Sequence, residues 1–159
     1  MPERPSSSAP KSATHAPAPI AQGRGEVLRE GSGVALLALG NTCDYALDAY
    51  DLIGDETAKP PVVNMRFVRP LDEALLIELA QTHHRFVTLE EHSLMGGFGS
   101  AVGEFVLDRG VDVHLERVGV PPTLIQHDKQ PLQRAGFGLS GESLAARIRA
   151  VEAASVAST

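Results

Sequence analysis

The sequence predicts an α/β domain of three layers, in which helices cover both faces of a mostly parallel β-sheet. Segments of strand length alternate with amphipathic helical segments, and this order is typical of a parallel sheet. One strand segment, 34–39, is a continuous apolar run, as expected for a strand buried on both faces. Another strand segment is followed by charged residues, a glycine-rich turn and a helix. This is the order in which an α/β sheet presents a site at the carboxyl ends of its strands.

The first predicted strand, 34–39, ends at Gly40, and Thr42 is positioned to cap the helix that follows. The apolar stripe predicted for this helix consists of Tyr45, Ala49, Leu52 and Ile53. Cys43 falls in the first helical turn, where a thiol pKa can be lowered. Because no catalytic histidine is near it in the sequence, we expect Cys43 to be a small packed residue.

The second predicted strand, 62–68, follows two consecutive prolines that interrupt the chain. Pro70 suits the first position of the next helix, because its ring fixes φ and it lacks the N–H that would be unpaired there. Asp72 and Glu73 then lie in the first turn, where the helix dipole favours negative charge. The inner face of this helix is predicted to carry Leu71, Leu75 and Leu79.

The third predicted strand, 86–89, is the one that runs into the glycine-rich turn. Ser100 is positioned to cap the helix after that turn, and Gly110 to end it. The apolar residues of this helix are Val102, Phe105 and Val106.

The last predicted strand, 111–118, alternates valine and leucine with charged residues, which indicates an edge strand with one face in water. Two prolines end this strand. The final helix is predicted to begin at about Ser140, with an apolar stripe of Leu144, Ile148 and Val151.

Composition excludes several classes of protein. A net charge of −6 argues against nucleic acid and against an anionic membrane as main partners. The sequence contains no apolar run of about 18 residues, so it predicts no membrane-spanning helix. The single cysteine excludes an intramolecular disulfide and a cysteine-based metal site. Since 1–19 lack the apolar core of a secretory signal, we expect a cytoplasmic protein.

The chain divides into three predicted parts. Residues 1–19 contain 5 Pro, 4 Ser and 4 Ala, a composition that cannot bury enough apolar surface to fold, and we expect a disordered leader. Residues 20–151 hold all the predicted strands and helices and form the domain. Residues 152–159 are expected to be a frayed tail.

The glycine-rich turn at the third strand consists of Gly96, Gly97, Gly99 and Ser100. Its backbone N–H groups lie at a predicted helix start, where they could bind an anion. The spacing differs from the G-x-G-x-x-G dinucleotide pattern and from the P-loop pattern. The same glycines could instead let the chain turn tightly and bring the helix close to the sheet. Both interpretations stay open at this point.

Glu90, Glu91 and His92 follow the third strand and could perform acid–base chemistry or bind a metal. In an extended chain neighbouring side chains point to opposite sides, so only Glu90 and His92 can share a face. The three cannot converge on one centre, and a role in an interface or in ordering the loop explains them better than catalysis. His127, in a loop after the paired prolines, is a further candidate for a contact with another domain.

From about Ile20 to Val151, the chain resembles the C-terminal domain of the transketolase superfamily, and within it the 1-deoxy-D-xylulose-5-phosphate synthase family. Six blocks in a specific order carry the resemblance. They are GRGEVLREGSG at 23–33, VALLALG at 34–40, VNMRFVRPLD at 63–72, FVTLEEH at 86–92, GGFGSAV at 96–102 and GVPP at 119–122.

The resemblance implies a five-stranded, mainly parallel sheet with one antiparallel edge strand. It also implies that the domain follows a diphosphate-binding domain and a pyrimidine-binding domain, which hold thiamine diphosphate and magnesium at a site shared between protomers. The G-D-G magnesium motif of that family is absent, since Gly54 and the two acidic residues after it do not match it. The family's catalytic glutamate belongs to the pyrimidine domain. No catalytic, cofactor-binding or metal-binding residue can therefore be assigned to this sequence.

Two functions follow as hypotheses. The first is a stand-alone or truncated C-terminal domain that is not catalytic alone and acts in association, with its own copy as a homodimer or with a subunit that carries the thiamine diphosphate domains. Its contact surface is expected at 90–100 and at the His127 loop. The alternative is a small-molecule or anion-binding α/β module that uses the turn from Gly96 to Ser100.

Overall fold

The computed structural model of the chain describes residues 19–54 and 57–156, with side chains to residue 154. Within these ranges, strands and helices alternate along most of the chain. The strands are β1 (Glu26–Arg29), β2 (Ala35–Ala38), β3 (Val62–Asn64), β4 (Arg85–Ser93) and β5 (His114–Val120). The helices are α1 (Thr42–Leu52), α2 (Glu73–Ala80), α3 (Phe98–Arg109), α4 (Gln130–Gly136) and α5 (Gly141–Val156). None of the helices in the described ranges is long and apolar enough to cross a membrane.

The five strands form one sheet in the order β1-β3-β2-β4-β5. β1 pairs with β3 antiparallel, and all other pairs are parallel. The predicted fold class, including the antiparallel edge strand, is therefore confirmed. The sequence pattern alone did not identify β1, because it is short and only half-buried and shows no clear alternation.

The sheet divides the hydrophobic core into two halves. On one face, α2 and α3 pack against the strands through side chains that include Leu76, Phe98 and Phe105. On the other face, α1 and α5 cover the strands, with Ala49 and Ile148 in that half of the core. Consecutive residues of β2 belong to opposite halves, as the pleat of a strand buried on both faces requires. This arrangement is the predicted three-layer sandwich.

The start of α1 differs from the prediction that Thr42 caps it. Asn41 occupies the cap position without a side-chain hydrogen bond, and Thr42 is the first helical residue. The Thr42 hydroxyl instead lies 2.9 Å from the carbonyl oxygen of Leu89 and accepts a hydrogen bond from the Leu39 N–H at 3.0 Å. Thr42 thus joins the carboxyl ends of β2 and β4, because its fully buried hydroxyl needs partners where no water is available.

The predicted apolar stripe of α1 is correct in part, because Ala49 and Ile53 are buried. Leu52, by contrast, is 48% exposed, and Cys43 and Ala46 lie on the buried face instead. Small side chains on this face allow α5 to approach α1 closely.

The start of α2 was wrongly predicted at Pro70. The Arg69–Pro70 peptide bond is cis and lies before the helix, which begins at Glu73. Asp72 is the cap residue, and its carboxylate accepts hydrogen bonds from Leu75 N–H at 3.2 Å and from Gly25 N–H at 2.9 Å. Asp72 therefore stabilises the helix start and also holds the chain just before β1.

Strand lengths differ from the predicted ones for local reasons. β3 ends at Asn64, because Arg66 adopts a positive φ of 57° and its N–H bonds to the Asn64 side chain at 3.0 Å. β4 continues past Leu89 to Ser93, where it pairs with Val120 of β5 after an irregularity in register.

The outer parts of the chain compare with the predictions as follows. The predicted disordered leader, 1–19, lies outside the described residues apart from its last residue. α5 continues to Val156 and so includes the first part of the predicted frayed tail, 152–159. Glu152 contributes to this extension, because its carboxylate accepts a hydrogen bond from Val34 N–H at 3.3 Å. The end of the tail, 157–159, lies outside the described residues.

Candidate functional site

The predicted site residues lie at the carboxyl edge of the parallel strands β2, β4 and β5. The chain moves from β2 to β3 on one side and then crosses to β4 on the other, so the strand order reverses between β2 and β4. In α/β sheets, ligands commonly bind in the crevice at such a reversal. Here the Thr42 hydroxyl joins the ends of the two strands at the reversal through its bond to the Leu89 carbonyl oxygen. The predicted site residues lie farther along the edge, on the segments that follow β4 and β5.

Glu90 is fully enclosed at this edge, with 1% of its surface exposed. Its two carboxylate oxygens accept hydrogen bonds from the backbone N–H groups of Phe98, at 2.7 Å, and Gly99, at 2.8 Å. These are the first two residues of α3, whose N-terminal N–H groups have no partners within the helix. Glu90 thus supplies the negative charge that a helix start favours. The two N–H groups are not free to bind an external anion.

Glu91 points to the opposite face of the sheet, as the alternation of an extended chain predicts. Its carboxylate accepts a hydrogen bond from the Tyr45 hydroxyl at 3.1 Å and forms a two-pronged ion pair with Arg134, at 2.7 Å and 3.1 Å. The Arg134 guanidinium also lies 5.9 Å from the centre of the Tyr45 ring. Glu91 therefore connects α1, β4 and α4. Burial, followed by the hydrogen bond and charge of Glu91, raises the pKa of the Tyr45 phenol.

The two predicted histidines do not join this arrangement. His92 is exposed, and its Nδ1 lies 3.4 Å from the carbonyl oxygen of Ser93. His127 is exposed in the segment between β5 and α4. The shared face expected for Glu90 and His92 does not bring them to a common centre, because Glu90 is enclosed under α3. Within the described ranges, no group of three or more His, Cys, Asp or Glu side chains could hold a metal ion.

The glycine-rich turn has a geometric role at three of its positions. Gly96 adopts a φ of 72°, a conformation that favours glycine. A Cβ atom on Gly97 would lie 2.0 Å from a carboxylate oxygen of Glu90. A Cβ atom on Gly99 would lie 2.6 Å from the Thr88 hydroxyl oxygen. The turn therefore allows α3 to pack directly on β4.

Ser100 does not cap α3, as was predicted, because Gly97 occupies the cap position. Ser100 lies in the first turn, and its hydroxyl donates to the Leu94 carbonyl at 2.9 Å and accepts from Gly96 N–H at 3.1 Å. Arg117 of β5 reaches the same carbonyl at 2.9 Å. The loop after β4 is held in place by these bonds.

Sequence reasoning missed three residues that shape this edge, namely Tyr45, Arg117 and Arg134. Tyr45 was predicted only as part of an apolar stripe, and α4, which carries Arg134, was not predicted. All three partner with residues far away in the sequence, and no local pattern identifies such pairs. Cys43 is buried, as expected, and burial, with the charge of Asp44, raises the pKa of its thiol.

Exposed apolar side chains lie beside the same edge. Leu124 is 96% exposed, Ile125 42%, Leu132 59% and Met95 69%. Ile125 and Arg134 line a cleft of about 210 Å³ next to Glu91. Met95 lies in the loop after β4. We call these four residues the apolar rim.

Comparison with known proteins identifies the family. Residues 23–144 match the family described as the transketolase C-terminal domain. The chain belongs to this family. The match covers β1 to the first turn of α5, and hence every residue of the edge described above.

Curated relatives of this transketolase C-terminal domain carry the name 1-deoxy-D-xylulose-5-phosphate synthase. The protein of Crocosphaera subtropica is 43% identical over 131 residues, which are 82% of this chain and 21% of that protein. The protein of Synechococcus sp. (strain JA-3-3Ab) is 45% identical over 132 residues, 83% of this chain and 20% of that protein. The chain thus spans about a fifth of the length of these relatives.

A solved structure supports the same assignment at the level of the fold. A split-gene transketolase, an inactive beta4 tetramer, superposes on this domain with a TM-score of 0.75 and 32% sequence identity. The match covers 84% of this chain and 44% of that one.

Proposed function

We propose that this domain serves association within a transferase of the 1-deoxy-D-xylulose-5-phosphate synthase or transketolase type, and that it is not catalytic alone. Its partner is a polypeptide region that carries the thiamine diphosphate domains, or a second copy of the chain in a homodimer. The complete assembly would then make 1-deoxyxylulose 5-phosphate from pyruvate and glyceraldehyde 3-phosphate, for isoprenoid and thiamine synthesis.

The observation that carries this proposal is that both carboxylates at the carboxyl edge are committed to internal bonds. Glu90 holds the start of α3, and Glu91 holds Tyr45 and Arg134. A general acid or base must reach a substrate proton with its own carboxylate. Neither side chain can do so without giving up bonds that stabilise the domain. A structural role for these carboxylates fits the geometry better than acid–base chemistry.

The apolar rim supports a role in association. Its four exposed apolar side chains all lie on segments that follow the carboxyl ends of β4 and β5. Large exposed apolar areas are typical of surfaces that another protein covers. Leu124 precedes α4 and Leu132 lies within it, on a segment whose other residues are mostly exposed, and Met95 lies in the loop after β4. The contact surface expected at 90–100 and at the His127 loop would include these side chains.

Thiamine diphosphate and magnesium do not fit the residues of this domain. The described residues offer no cluster of metal-binding side chains. The helix start that could bind a diphosphate is occupied by the Glu90 carboxylate. The cofactor would therefore be held by the thiamine diphosphate domains of the assembly and not by this domain.

The alternative, an anion site at the turn from Gly96 to Ser100, stays a prediction that these contacts do not favour. Phe98 and Gly99 supply the N–H groups that such a site would need, and Glu90 binds both.

The proposal predicts that the apolar rim determines association. The chain would be mixed with the thiamine diphosphate domains of its source, and the dissociation constant measured by analytical ultracentrifugation or calorimetry. We expect Leu124→Asp and Leu132→Asp to weaken binding at least about tenfold, because an aspartate buried at an interface loses hydration without gaining a partner. Leu107→Asp is the matched control, since Leu107 is 81% exposed on α3, away from the rim.

Two results would contradict the association part of this proposal. One is the absence of any complex, with the thiamine diphosphate domains or with a second copy, at micromolar concentrations. The other is equal weakening by Leu107→Asp, which would show a general effect of added charge. Transferase activity of the chain alone would refute the non-catalytic part.

A further inference from the structure

A second cleft, which we call the arginine cleft, opens where β5 ends beside the C-terminal end of α4. Its volume is about 450 Å³, and its lining contains two arginines, Arg117 and Arg147, and no carboxylate side chain. Backbone at Gly119, Gly136 and Gly138 forms much of the remaining wall. The cleft is separate from the Glu91 cleft, although Phe137 contributes to both.

Arg117 is held in place through one nitrogen of its guanidinium group, Nη1. Nη1 donates to the Leu94 carbonyl oxygen at 2.9 Å and to the Ser100 hydroxyl at 3.1 Å, and the stem packs over Gly99. Within the part of the chain that the structure describes, Nε and Nη2 have no hydrogen-bond partner, and the side chain has no acidic partner. Arg117 therefore presents positioned donors that remain unused.

Arg147 is oriented in the same way from the other side of the cleft. Its Nη1 forms an ion pair with Glu116, a residue of β5 that does not line the cleft. Its Nη2 lies near Gly138, 3.7 Å from the position that a Cβ atom on that glycine would take. A guanidinium fixed through one nitrogen can offer the others to a ligand without losing further side-chain entropy.

The charges around the cleft favour an anion. The lining itself carries two guanidinium groups and no carboxylate side chain. Arg147 is balanced by its ion pair with Glu116, and the Glu90 side chain lies behind Gly119 with its carboxylate bonded to the start of α3. The positive charge of Arg117 has no acidic partner among the described residues. The C-terminal carbonyls of α4 also border the cleft, and they would repel an anion. Three of them, those of Gln133, Arg134 and Ala135, already accept hydrogen bonds from N–H groups in 137–139, and α4 has only 7 residues.

We propose that the arginine cleft binds a small oxyanion of the phosphate class, either inorganic phosphate or the phosphate of a phosphomonoester. Two guanidinium forks present more donors than a carboxylate has oxygens, whereas a tetrahedral phosphate has acceptors for both. The glycines along the wall allow the anion to approach the backbone closely. This site lies beside the glycine-rich turn and not on its N–H groups, which Glu90 occupies.

The test is a titration of the full chain with inorganic phosphate, followed by ¹H–¹⁵N NMR at constant ionic strength. We expect saturable shifts of the Gly119, Gly136 and Gly138 amide signals, with a Kd between about 0.1 and 10 mM. Arg117→Gln and Arg147→Gln should each raise the Kd at least about tenfold. Arg147→Lys keeps the positive charge that pairs with Glu116 but replaces the planar guanidinium with an ammonium group. It should also raise the phosphate Kd.

Arg149→Gln is the matched control, because Arg149 is exposed on α5 and bonds to the Leu52 carbonyl. Its phosphate Kd should equal that of the unmodified chain. The proposal is overturned if no saturable shift appears up to about 50 mM phosphate, if Arg149→Gln weakens binding as much as the other variants, or if acetate competes equally. The last result would assign the cleft to carboxylates. A second titration with glycerol 2-phosphate distinguishes the two ligands. A lower Kd for glycerol 2-phosphate indicates a phosphomonoester site, and a lower Kd for inorganic phosphate indicates a site for the free ion.

Discussion

Glu90 shows how a charged side chain can be retained in the interior of this domain. Burial of an unpaired carboxylate would cost several kcal/mol. Two short hydrogen bonds from the start of α3, together with the positive end of the helix dipole, offset that cost. The dependence is mutual, because the Phe98 and Gly99 N–H groups would be buried without partners if the carboxylate were absent. Glu90 is thus a structural residue, and its removal should be felt as a loss of stability.

We predict that Glu90→Gln lowers the free energy of unfolding by about 2–4 kcal/mol. The glutamine amide can accept from only one of the two N–H groups, and its NH₂ must face the other donor. Urea unfolding, followed by circular dichroism, measures the change. Glu104→Gln, an exposed position on the same helix, should change the free energy by less than about 0.5 kcal/mol. A Glu90→Gln variant as stable as this control would contradict the structural role.

The Tyr45 phenol should lose its proton at a higher pH in the folded chain than in the unfolded one. Tyr45 and Tyr50 are the only tyrosines, so a Tyr50→Phe variant isolates the absorbance of the Tyr45 phenolate. Because its folded pKa is raised above the ordinary value of 10.0, the stability that this group contributes is complete below pH 10.0 and is lost as the pH rises through the raised pKa.

We predict an ultraviolet titration midpoint in folded Tyr50→Phe that lies above the midpoint in urea. Adding Glu91→Gln should lower the folded midpoint, since the Glu91 bond and charge favour the protonated phenol while Arg134 favours the phenolate. Equal midpoints in the folded and unfolded chains would refute the Tyr45–Glu91 contact.

At the scale of an element, α3 depends on its first turn much more than on its middle. Gly99 lies directly against β4 and β5, where a Cβ atom would be 2.6 Å from the Thr88 hydroxyl oxygen and 2.9 Å from Cδ of Arg117. Gly103, one turn later on the same helix, has only Leu115 Cδ2 at 3.4 Å. An added methyl group would therefore clash with the sheet at Gly99 but would have nearly enough space at Gly103.

We predict that Gly99→Ala destabilises the domain by about 1–3 kcal/mol, because α3 or the strands must move apart to admit the methyl group. Gly103→Ala should be neutral or stabilising by up to about 1 kcal/mol, since alanine is the better helix former and Leu115 can shift slightly. Thermal unfolding of the two variants side by side tests both. Equal effects in the two would indicate that α3 does not pack tightly on the sheet through Gly99.

At the scale of the whole molecule, the sequence was most informative where one local pattern determines the structure. The apolar run at 34–39 predicted a strand buried on both faces, and β2 has that environment. Alternation along the third strand predicted that Glu90 and Glu91 point to opposite sides, which their partners confirm.

The rest of the edge depends on partners brought together only by folding. Glu91 meets Tyr45 and Arg134 across 46 and 43 positions of sequence, and no local periodicity reports such contacts. α4 has no buried residue, so its sequence carries no apolar stripe from which to predict it. Thr42 and Ser100 were assigned as caps by residue type, but competing carbonyls nearby attract both hydroxyls.

The packing of α1 against α5 has a consequence during synthesis on the ribosome. α1 is made early, but the helix that covers its alanine face, Gly141–Val156, is the last element of the described chain to emerge. Until then Ala46, Ala49 and Ile53 have only the sheet on one side and water on the other. A chain that stops before Gly141 would therefore leave this half of the core open, and the exposed apolar surface would favour aggregation.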